Sequence, residues 1–295
     1  LPKLCDSAVK VGEYNGAAVV TSAIDQIAGA IGAGVTDKSV VSEMTGTTMV
    51  VFAPTETVPE YNPNSIVPCH KNYDGKYCLL SWTSTAGIAL KWFKNNFCEN
   101  FSFRELDELA ESVPAGSAGL TFLPYLCGST MPKYNPDAKG AFLGLTMEHT
   151  RGHAVRSILE SVACMLKANL DYFGVTCEQI RSMGGGSSSP LWCQIKADMT
   201  GKEIAILENN ETACLGSAIL AGVAAGLKLL EIYDTDNDGA IADAEAKIGY
   251  VGAFPYAEVI SGYTSFYLGA KSVCPSVTMD VKFTGSWYDE QKEKE

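Results

Sequence analysis

The sequence predicts an α/β fold, because short runs that read as strands lead into a glycine-bearing turn and then a helix. Residues 179–183 form such a run, followed by a glycine and serine loop at residues 184–189 and a helix that begins at Pro190. Residues 203–207 and 212–227 repeat the order of strand and helix. Domains of this kind bind their ligands at the glycine turns that follow the strands.

The first third of the chain contains the same kinds of element. Residues 17–24 predict a strand, followed by a helix rich in glycine and alanine that ends at Ala33. Residues 40–44 and 49–53 predict the two strands of a hairpin. Residues 77–82 predict a further strand, and a short turn connects it to a helix.

The longest predicted helix covers residues 150–173. Thr150 suits its N-cap and Gly174 its C-cap, where a left-handed backbone favours glycine. Apolar side chains recur between them at intervals of three and four residues, as on the buried face of an amphipathic helix. They are Val155, Leu159, Val162, Leu166, Leu170 and Phe173.

A change in composition near residue 228 predicts a domain boundary. An acidic loop follows it, and residues 247–252 resemble the first strand of a new α/β unit. We therefore predict one domain over residues 1–227 and a partial α/β segment over residues 228–295. The chain opens on Leu1 and Pro2 without an initiator methionine, which predicts a fragment of a longer protein.

Charge and composition limit the partners that this chain can have. Its 295 residues carry a formal net charge of −12, whereas a nucleic-acid surface requires a basic stripe, so no nucleic acid is expected. The sequence contains no signal peptide and no membrane-length apolar run. We predict no membrane partner for residues 1–227 and a cytoplasmic location, and an oligomer is compatible with the sequence.

Cysteine usage agrees with a reducing compartment. The chain has ten cysteines and no C-x-x-C pair, which favours free thiols over a zinc site or a disulfide framework. Cys164 and Cys214 fall within apolar helical runs, so we expect them to behave as small hydrophobic side chains.

Asp25 is the first candidate for chemistry, because it stands between a strand of small residues and a glycine-rich helix. A carboxylate at the carboxyl end of a strand is well placed to act as a catalytic base. The alternative is an N-cap that accepts hydrogen bonds from the amides of its own helix. Position alone favours the cap.

The tripeptide Gly46, Thr47 and Thr48 forms a tight turn between two predicted strands. Such a turn can direct backbone N–H groups and two hydroxyls at a phosphate. A plain hairpin turn is the alternative.

Gly184, Gly185 and Gly186 follow a predicted strand and precede a helix that begins near Ser189. Glycines allow close approach of a ligand, and the helix N-terminus favours a negative charge. The loop matches neither the P-loop pattern nor G-x-G-x-x-G. A flexible linker is the alternative, and the position between strand and helix favours a ligand loop.

Two further patterns suggest metal ligands. His149 and His153 are four residues apart, yet no third ligand accompanies them, so structural roles are favoured. A second pattern follows the spacing of an EF-hand calcium loop, but a strand-like segment stands where the exiting helix should begin. An acidic surface turn is the alternative, and no firm metal ligand is assigned. The residues of this pattern are Asp234, Asp236, Asp238 and Glu245.

Together these segments resemble the FGGY carbohydrate kinases, most closely the xylulokinase branch, over about residues 1–227. The motifs that carry the resemblance occur in the order of the family. They are Ala23-Ile24-Asp25-Gln26, Gly46-Thr47-Thr48, Ser84-Thr85-Ala86-Gly87 before Leu90-Lys91-Trp92, residues 122–128, residues 140–146, His149-Thr150-Arg151, Gly184-Gly185-Gly186 ahead of Ser189-Pro190-Leu191-Trp192, and residues 213–226.

The resemblance implies an actin-like, ribonuclease H-like ATPase domain. It implies an enzyme that uses ATP and Mg²⁺ to phosphorylate a hydroxyl of D-xylulose or of a related pentulose or polyol. It also implies that Asp25 is the catalytic base, in place of the cap, with Gln26 beside it at the sugar. The residues implied to bind ATP are Gly46, Thr47, Thr48, Gly87, Lys91, Gly184, Gly185, Gly186 and Ser189.

The sequence departs from the family in two places. Ile24 stands where the family usually has a glycine, and we expect its side chain to crowd the sugar. The sugar-binding domain of the family has no counterpart in this sequence, so we expect negligible kinase activity from this chain by itself. A non-catalytic module that binds a nucleotide or nucleoside is the alternative function.

Residues 228–295 resemble a different family, the basic membrane proteins, which are periplasmic nucleoside-binding lipoproteins. The likeness covers residues 247–254, 256–259, 262–270 and 283–290. It spans only a fraction of such a domain, so no ligand is expected there. We interpret the junction as a truncated or wrongly joined reading frame.

Overall fold

A computed structural model describes residues 10–14, 17–20, 23–60, 67–72, 75–208, 211–233, 247–252, 255 and 257–285. The strands are β1 (Lys10–Tyr14), β2 (Ala17–Val20), β3 (Val40–Thr45), β4 (Met49–Thr55), β5 (Cys69–Lys71), β6 (Tyr77–Thr83), β7 (Thr121–Leu123), β8 (Ala141–Leu143), β9 (Gln179–Met183), β10 (Glu203–Ile206), β11 (Lys247–Gly252) and β12 (Thr278–Phe283). The helices are α1 (Asp25–Gly32), α2 (Gly87–Phe97), α3 (Phe103–Glu111), α4 (Arg151–Phe173), α5 (Pro190–Thr200), α6 (Thr212–Tyr233) and α7 (Ala257–Val273).

The chain folds as two compact units. One unit, here named the sheet unit, comprises Val35–His70 and Tyr77–Asn210. The other, here named the terminal unit, comprises Leu1–Gly34, Lys71–Lys76 and Glu211–Glu295. Helix α6 of the terminal unit runs through residue 227, and the domain limits drawn from the sequence remain a prediction.

A mixed sheet of six strands, in the order β10-β9-β3-β4-β6-β5, forms the frame of the sheet unit. Strands β10, β9 and β3 run parallel, whereas β3, β4 and β6 pair antiparallel. The parallel strands carry their connecting helices, which confirms the α/β interpretation. Strand β3 lies inside the sheet, so its carboxyl end, with the turn to β4, meets the carboxyl end of β9.

Helix α4 provides most of the cover for this sheet. Its side chains at Val155, Ile158, Leu159, Val162 and Leu166 are fully buried, because the repeat of three and four residues keeps them on one helix face. They join the hydrophobic core formed with the sheet residues Val41, Met49, Val51, Ala53, Leu79 and Ile180. The helix stops at Gly174, which has φ 63° as the sequence predicts for its C-cap.

The observed element limits differ from the sequence expectations at a few positions. Strand β2 ends at Val20, before the predicted limit at residue 24, and α1 begins at Asp25. Helix α6 continues to Tyr233, beyond the predicted end at Leu227. A run of small and apolar residues with no proline or helix-ending glycine explains the longer helix.

Helix α6 holds the terminal unit together through glycines on two sides. Against α1, a Cβ at Gly216 would overlap the carbonyl of Ala28. Against α7, a Cβ at Gly222 would overlap the carbonyl of Phe266, and one at Gly269 would overlap that of Ile219. These close approaches put the backbones of α1, α6 and α7 in direct contact. Strands β11 and β12, which precede and follow α7 in the sequence, pair in parallel, and the three elements form a partial α/β segment.

Candidate functional site

The turn between β3 and β4 is short and exposed. The N–H group of Gly46 donates to the carbonyl of Thr48 at 2.9 Å, which closes the hairpin. Gly46 and Thr47 are exposed to solvent, whereas Thr45, at the end of β3, is fully buried. The turn therefore presents polar groups at the surface on a rigid base.

Helix α2 begins directly against this turn. The N–H groups of Ala86 and Ile88 donate to the carbonyl of Thr47 at 3.1 and 3.2 Å, and that of Gly87 donates to the carbonyl of Gly46 at 2.9 Å. A Cβ at Gly87 would overlap the Gly46 carbonyl, so a side chain would push the helix away. The first amides of α2 therefore hold the turn in place.

The glycine loop after β9 lies on the end of β3. Gly184 has φ 76°, and a Cβ there would lie 2.9 Å from the carbonyl oxygen of Thr45. A Cβ at Gly186 would lie 2.8 Å from the Thr45 side chain. Gly185 differs from both, because no atom lies within 4 Å of the Cβ position. Two glycines thus allow the loop to pack, and the third faces open space.

Helix α5 follows this loop and begins with a side-chain N-cap and a proline. The hydroxyl of Ser189 caps it by accepting a hydrogen bond from the N–H group of Trp192 at 3.1 Å, and Pro190 occupies the first turn. The indole Nε1 of Trp192 donates to the carbonyl of Leu159 at 3.1 Å. Helix α5 therefore begins at Pro190 as the sequence predicts, and Trp192 fixes this start to α4.

These segments surround a cleft of about 750 Å³ within the sheet unit. Backbone and hydroxyl groups line part of it, and apolar side chains line the rest, which is typical of a small-molecule site. The polar set is Thr45, Gly46, Thr47, Gly87, Gly185, Gly186, Ser188 and Ser189, and the apolar set is Ile88, Leu90, Phe103, Pro190, Leu191 and Trp192. The charged set is Lys91, Arg104, Asp107, Glu108 and Glu111.

Helix α3 forms one wall of the cleft, and the sequence analysis missed it. Ser102 and Glu105 make a capping box: the Ser102 hydroxyl accepts from the Glu105 N–H group at 3.2 Å, and Glu105 accepts from the Ser102 N–H group at 2.7 Å. The opposite face buries Leu106 and Ala110. The S-x-x-E pattern at residues 102–105 is the signal that would have predicted this helix.

Asp107 is a carboxyl group of the cleft with a raised pKa. Burial raises the pKa, and the nearby Glu111 carboxylate raises it further, while the Ser189 hydroxyl opposes them as a hydrogen-bond donor. Arg104 forms an ion pair with Glu108, in which Arg104 Nε lies 3.1 Å from Glu108 Oε1. Negative charge on this wall is therefore only partly compensated.

Asp25 is the first residue of α1 in the terminal unit. Its carboxylate is exposed, and its Oδ1 accepts from the N–H group of Gln26 at 2.9 Å. Ile24 occupies the N-cap position, so the cap interpretation of Asp25 is wrong: the residue lies within the first turn. The Ile24 side chain is 50% exposed.

A comparison with protein families decides what kind of chain this is. Residues 42–225, more than half of the chain, match the model described as the FGGY family of carbohydrate kinases, C-terminal domain. The chain belongs to the FGGY family of carbohydrate kinases. The fold implied by the resemblance, an actin-like and ribonuclease H-like ATPase domain, is confirmed by the solved structures that this FGGY chain resembles.

Curated relatives of the FGGY chain are sugar kinases. It is 31% identical to a xylulose kinase of Staphylococcus epidermidis over 247 residues, which cover 78% of this chain and 50% of the relative. It is 29% identical to a gluconokinase of Bacillus subtilis, over 61% of this chain and 37% of the relative. The chain spans about half the length of the curated relatives it matches.

Among solved structures, the FGGY chain resembles a xylulose kinase from Rhodospirillum rubrum with a TM-score of 0.64 and 30% identity, over 73% of this chain and 46% of that one. A ligand-bound xylulose kinase from Lactobacillus acidophilus shares the fold with a TM-score of 0.68. Residues 239–295 match a second model, the PnrA-like substrate-binding proteins of ABC transporters. This match confirms the resemblance stated for the tail.

The structure brings most of the predicted nucleotide residues to one place. Those that line the cleft are Gly46, Thr47, Gly87, Lys91, Gly185, Gly186 and Ser189. Thr48 and Gly184 belong to the same turn and loop without lining the cleft. Asp25 and Gln26 belong to the terminal unit.

The two histidines have structural roles. His149 Nδ1 accepts from the N–H group of Thr146 at 2.9 Å, and His153 Nδ1 accepts from that of Thr150 at 3.2 Å, where it supports the cap of α4. Within the described ranges no group of three His, Cys, Asp or Glu side chains could hold a metal ion. The calcium-loop candidates Asp234, Asp236, Asp238 and Glu245 lie outside the described residues.

Nine cysteines in the described part of the chain are free thiols. Cys164 and Cys214 are exposed, so the expectation that both are packed as small hydrophobic side chains is wrong. Each of them lies on a part of its helix that the neighbouring elements leave exposed. Among the described residues, none of the helices combines the length and the apolar character needed to cross a bilayer.

Proposed function

We propose that this chain carries the nucleotide-binding part of an ATP-dependent carbohydrate kinase. The observation that carries the proposal is the cleft, where the turn at Gly46, the start of α2 and the loop at Gly185 converge on one space. D-Xylulose or a related pentulose or polyol is the proposed phosphate acceptor, because relatives of this chain are named xylulose kinase and gluconokinase.

The lining of the cleft suits ATP. Phosphoryl transfer depends mainly on positioning the phosphates and on neutralising their charge. Backbone groups and hydroxyls of the turn and the loop can position the phosphates. Apolar side chains such as Phe103 and Leu191 offer an apolar surface for an adenine ring. Lys91 supplies a cation.

Mg²⁺ is proposed to arrive with the nucleotide. It commonly keeps several waters and uses phosphate oxygens with one or two carboxylates, so a dedicated cage of three side chains is not needed. The absence of such a cluster among the described residues is compatible with this role.

Asp25 is proposed as the base that accepts the proton of the attacking sugar hydroxyl, with Gln26 beside it at the substrate. Support comes from its exposed carboxylate on the first turn of α1, where solvent and ligands can approach. A cytoplasmic location, where free thiols persist, is part of the same proposal.

Gly185 offers the sharpest test of the cleft. A leucine there meets no protein atom near its Cβ, so the fold should persist while the side chain fills the space proposed for ATP. We expect the full chain to bind ATP in calorimetric titration, and Gly185→Leu to weaken that binding by at least about tenfold. Gly249→Leu is the control, because Gly249 also faces open space and does not line the cleft.

Two outcomes would contradict the proposal. Equal ATP binding by wild type and Gly185→Leu would remove the cleft as the site. Failure of the folded wild type to bind ATP would remove the kinase assignment for this chain. Equal affinity for ATP and adenosine would instead favour the alternative of a nucleoside-binding module without catalysis.

A further inference from the structure

An ion pair is buried beneath the turn and the glycine loop. Glu43 of β3 and Lys196 of α5 are both 0% exposed, and Lys196 Nζ donates to Glu43 Oε1. Neither residue lines the cleft. Removing two charges from water is costly, and an apolar pair of similar volume is often at least as stable, so stability alone does not account for the pair.

The pair belongs to a network that ties three elements together. Glu43 Oε1 also accepts from the hydroxyl of Ser182 on β9, and Oε2 accepts from the hydroxyl of Thr45 at 2.6 Å. Lys196 Nζ donates to Thr45 Oγ1 at 3.2 Å and lies 5.2 Å from the centre of the Trp192 ring. Charge-assisted hydrogen bonds therefore connect β3, β9 and α5 where they meet.

Thr45 links this network to the cleft. Its hydroxyl donates to Glu43 and accepts from Lys196, and one rotamer satisfies both bonds. In that rotamer the rest of the side chain faces the loop, because the Cβ position of Gly186 lies 2.8 Å from both Thr45 Cβ and Cγ2. Any rotation of Thr45 would give up its hydrogen bonds and alter the fit of the loop.

We propose that Glu43, Lys196 and Ser182 are positioning residues that set the separation between the turn at Gly46 and the loop at Gly186, and so shape the triphosphate part of the cleft. The inference rests on the proposed function, since it assumes that this cleft binds ATP. The three residues act through Thr45 and need not touch the nucleotide.

The double variant Glu43→Gln/Lys196→Met tests the proposal without leaving a buried charge unpaired. The amide of glutamine offers one acceptor oxygen where the carboxylate offers two, so Thr45 and Ser182 can no longer each donate to an oxygen of its own, and methionine removes the bond from Lys196 to Thr45. ATP and adenosine are titrated separately into the full chain. We expect ATP affinity to fall at least about tenfold and adenosine affinity to stay within about twofold of wild type.

Two further variants provide a milder change in the same network and a control outside it. Ser182→Ala removes one donor to Glu43 outside the cleft and should lower ATP affinity selectively, by less than the double variant. Lys167→Met/Asp171→Asn neutralises an exposed ion pair on α4, at 3.0 Å, and should change neither affinity. Circular dichroism and thermal unfolding establish that each variant is folded at the temperature of titration.

Each outcome decides something. Selective loss of ATP affinity supports the positioning network. Unchanged ATP affinity in a folded double variant overturns it and leaves the proposed function standing, and parallel loss of both affinities assigns the network a purely structural role. If wild type binds no ATP, the proposed function fails, and this inference fails with it.

Discussion

Asp107 shows how a single residue of the proposed site can lower the stability of the fold. Its pKa is raised by burial and then by Glu111, so the ionised form is disfavoured in the folded protein. A raised carboxyl pKa means that stability is fully present below the unfolded pKa and is lost as pH rises through the folded pKa. At neutral pH, well above the unfolded pKa, Asp107 therefore lowers stability.

Asp107→Asn should raise the thermal unfolding midpoint at about pH 7. The amide has no charge to desolvate and its oxygen can still accept from Ser189. The gain should shrink as pH is lowered toward the ordinary aspartate pKa of 3.8, where wild type is also neutral. Differential scanning fluorimetry of both proteins across this range measures it, and a gain that does not vary with pH would contradict the electrostatic cause.

At the same scale, the sequence indicated which residues lie around the cleft better than it indicated how each of them packs. Gly184, Gly185 and Gly186 look alike in the sequence, yet Gly184 and Gly186 pack against Thr45, whereas Gly185 faces open space. The hydrogen bond between Lys196 and Glu43 joins residues 153 positions apart, and no local pattern announces it. Such roles depend on tertiary packing.

Among the elements, strongly periodic segments were the most predictable. Helix α4 and strand β9 occur at their predicted places, because a long amphipathic repeat and a short strand directly before a glycine loop are both local signals. Helix α3 was missed because its polar cleft face leaves only a short apolar stripe, although its capping box is visible in the sequence. The cleft wall it forms was missed with it.

A substitution at Gly87 tests how much stability comes from the contact between α2 and the β3–β4 turn. In Gly87→Ala the new Cβ would overlap the Gly46 carbonyl, so the hydrogen bonds from the first amides of α2 should be lost. We expect a loss of about 1–3 kcal/mol in the free energy of unfolding, as for other overpacked sites, and weaker ATP binding. Urea denaturation and calorimetric titration measure the two effects.

Asn95→Ala is the control for this prediction, because Asn95 is exposed on the same helix and distant from the turn in sequence. It should leave the unfolding free energy nearly unchanged or slightly higher, since alanine favours a helix. Equal stability of Gly87→Ala and Asn95→Ala would show that the turn can move aside at no cost.

At the scale of the whole molecule, the terminal unit joins segments that match two families. Helix α6 begins within the FGGY match, which ends at residue 225, and α7 lies within the PnrA-like match at residues 239–295. The two helices nevertheless pack with their backbones in contact at Gly222 and Gly269. The sequence predicted both resemblances but gave no indication of this contact, which depends on how the helices pack in three dimensions.

Gly269→Ala should destabilise the terminal unit, because its Cβ would overlap the carbonyl of Ile219 and separate the helices. A loss of about 1–3 kcal/mol is expected from overpacking of this kind. Gly262→Ala on the same helix is the matched control, because only the Tyr250 hydroxyl lies near, at 4.0 Å, and alanine should gain helix propensity. Chemical denaturation followed by circular dichroism compares them, and equal effects would exclude tight α6–α7 packing.

Glycines on both sides of α6 have a consequence for the ancestry of the chain. Helices α6 and α7 belong to the two different family matches, and their backbones are in direct contact. A recombination event that joined a new segment to α6 would therefore have to supply a helix with a glycine at the position of Gly269, in addition to an open reading frame. A helix without that glycine would not fit against α6, and Gly222 and Gly226 would lose the helix that packs on them. The sequence of each half is therefore constrained by the shape of the other.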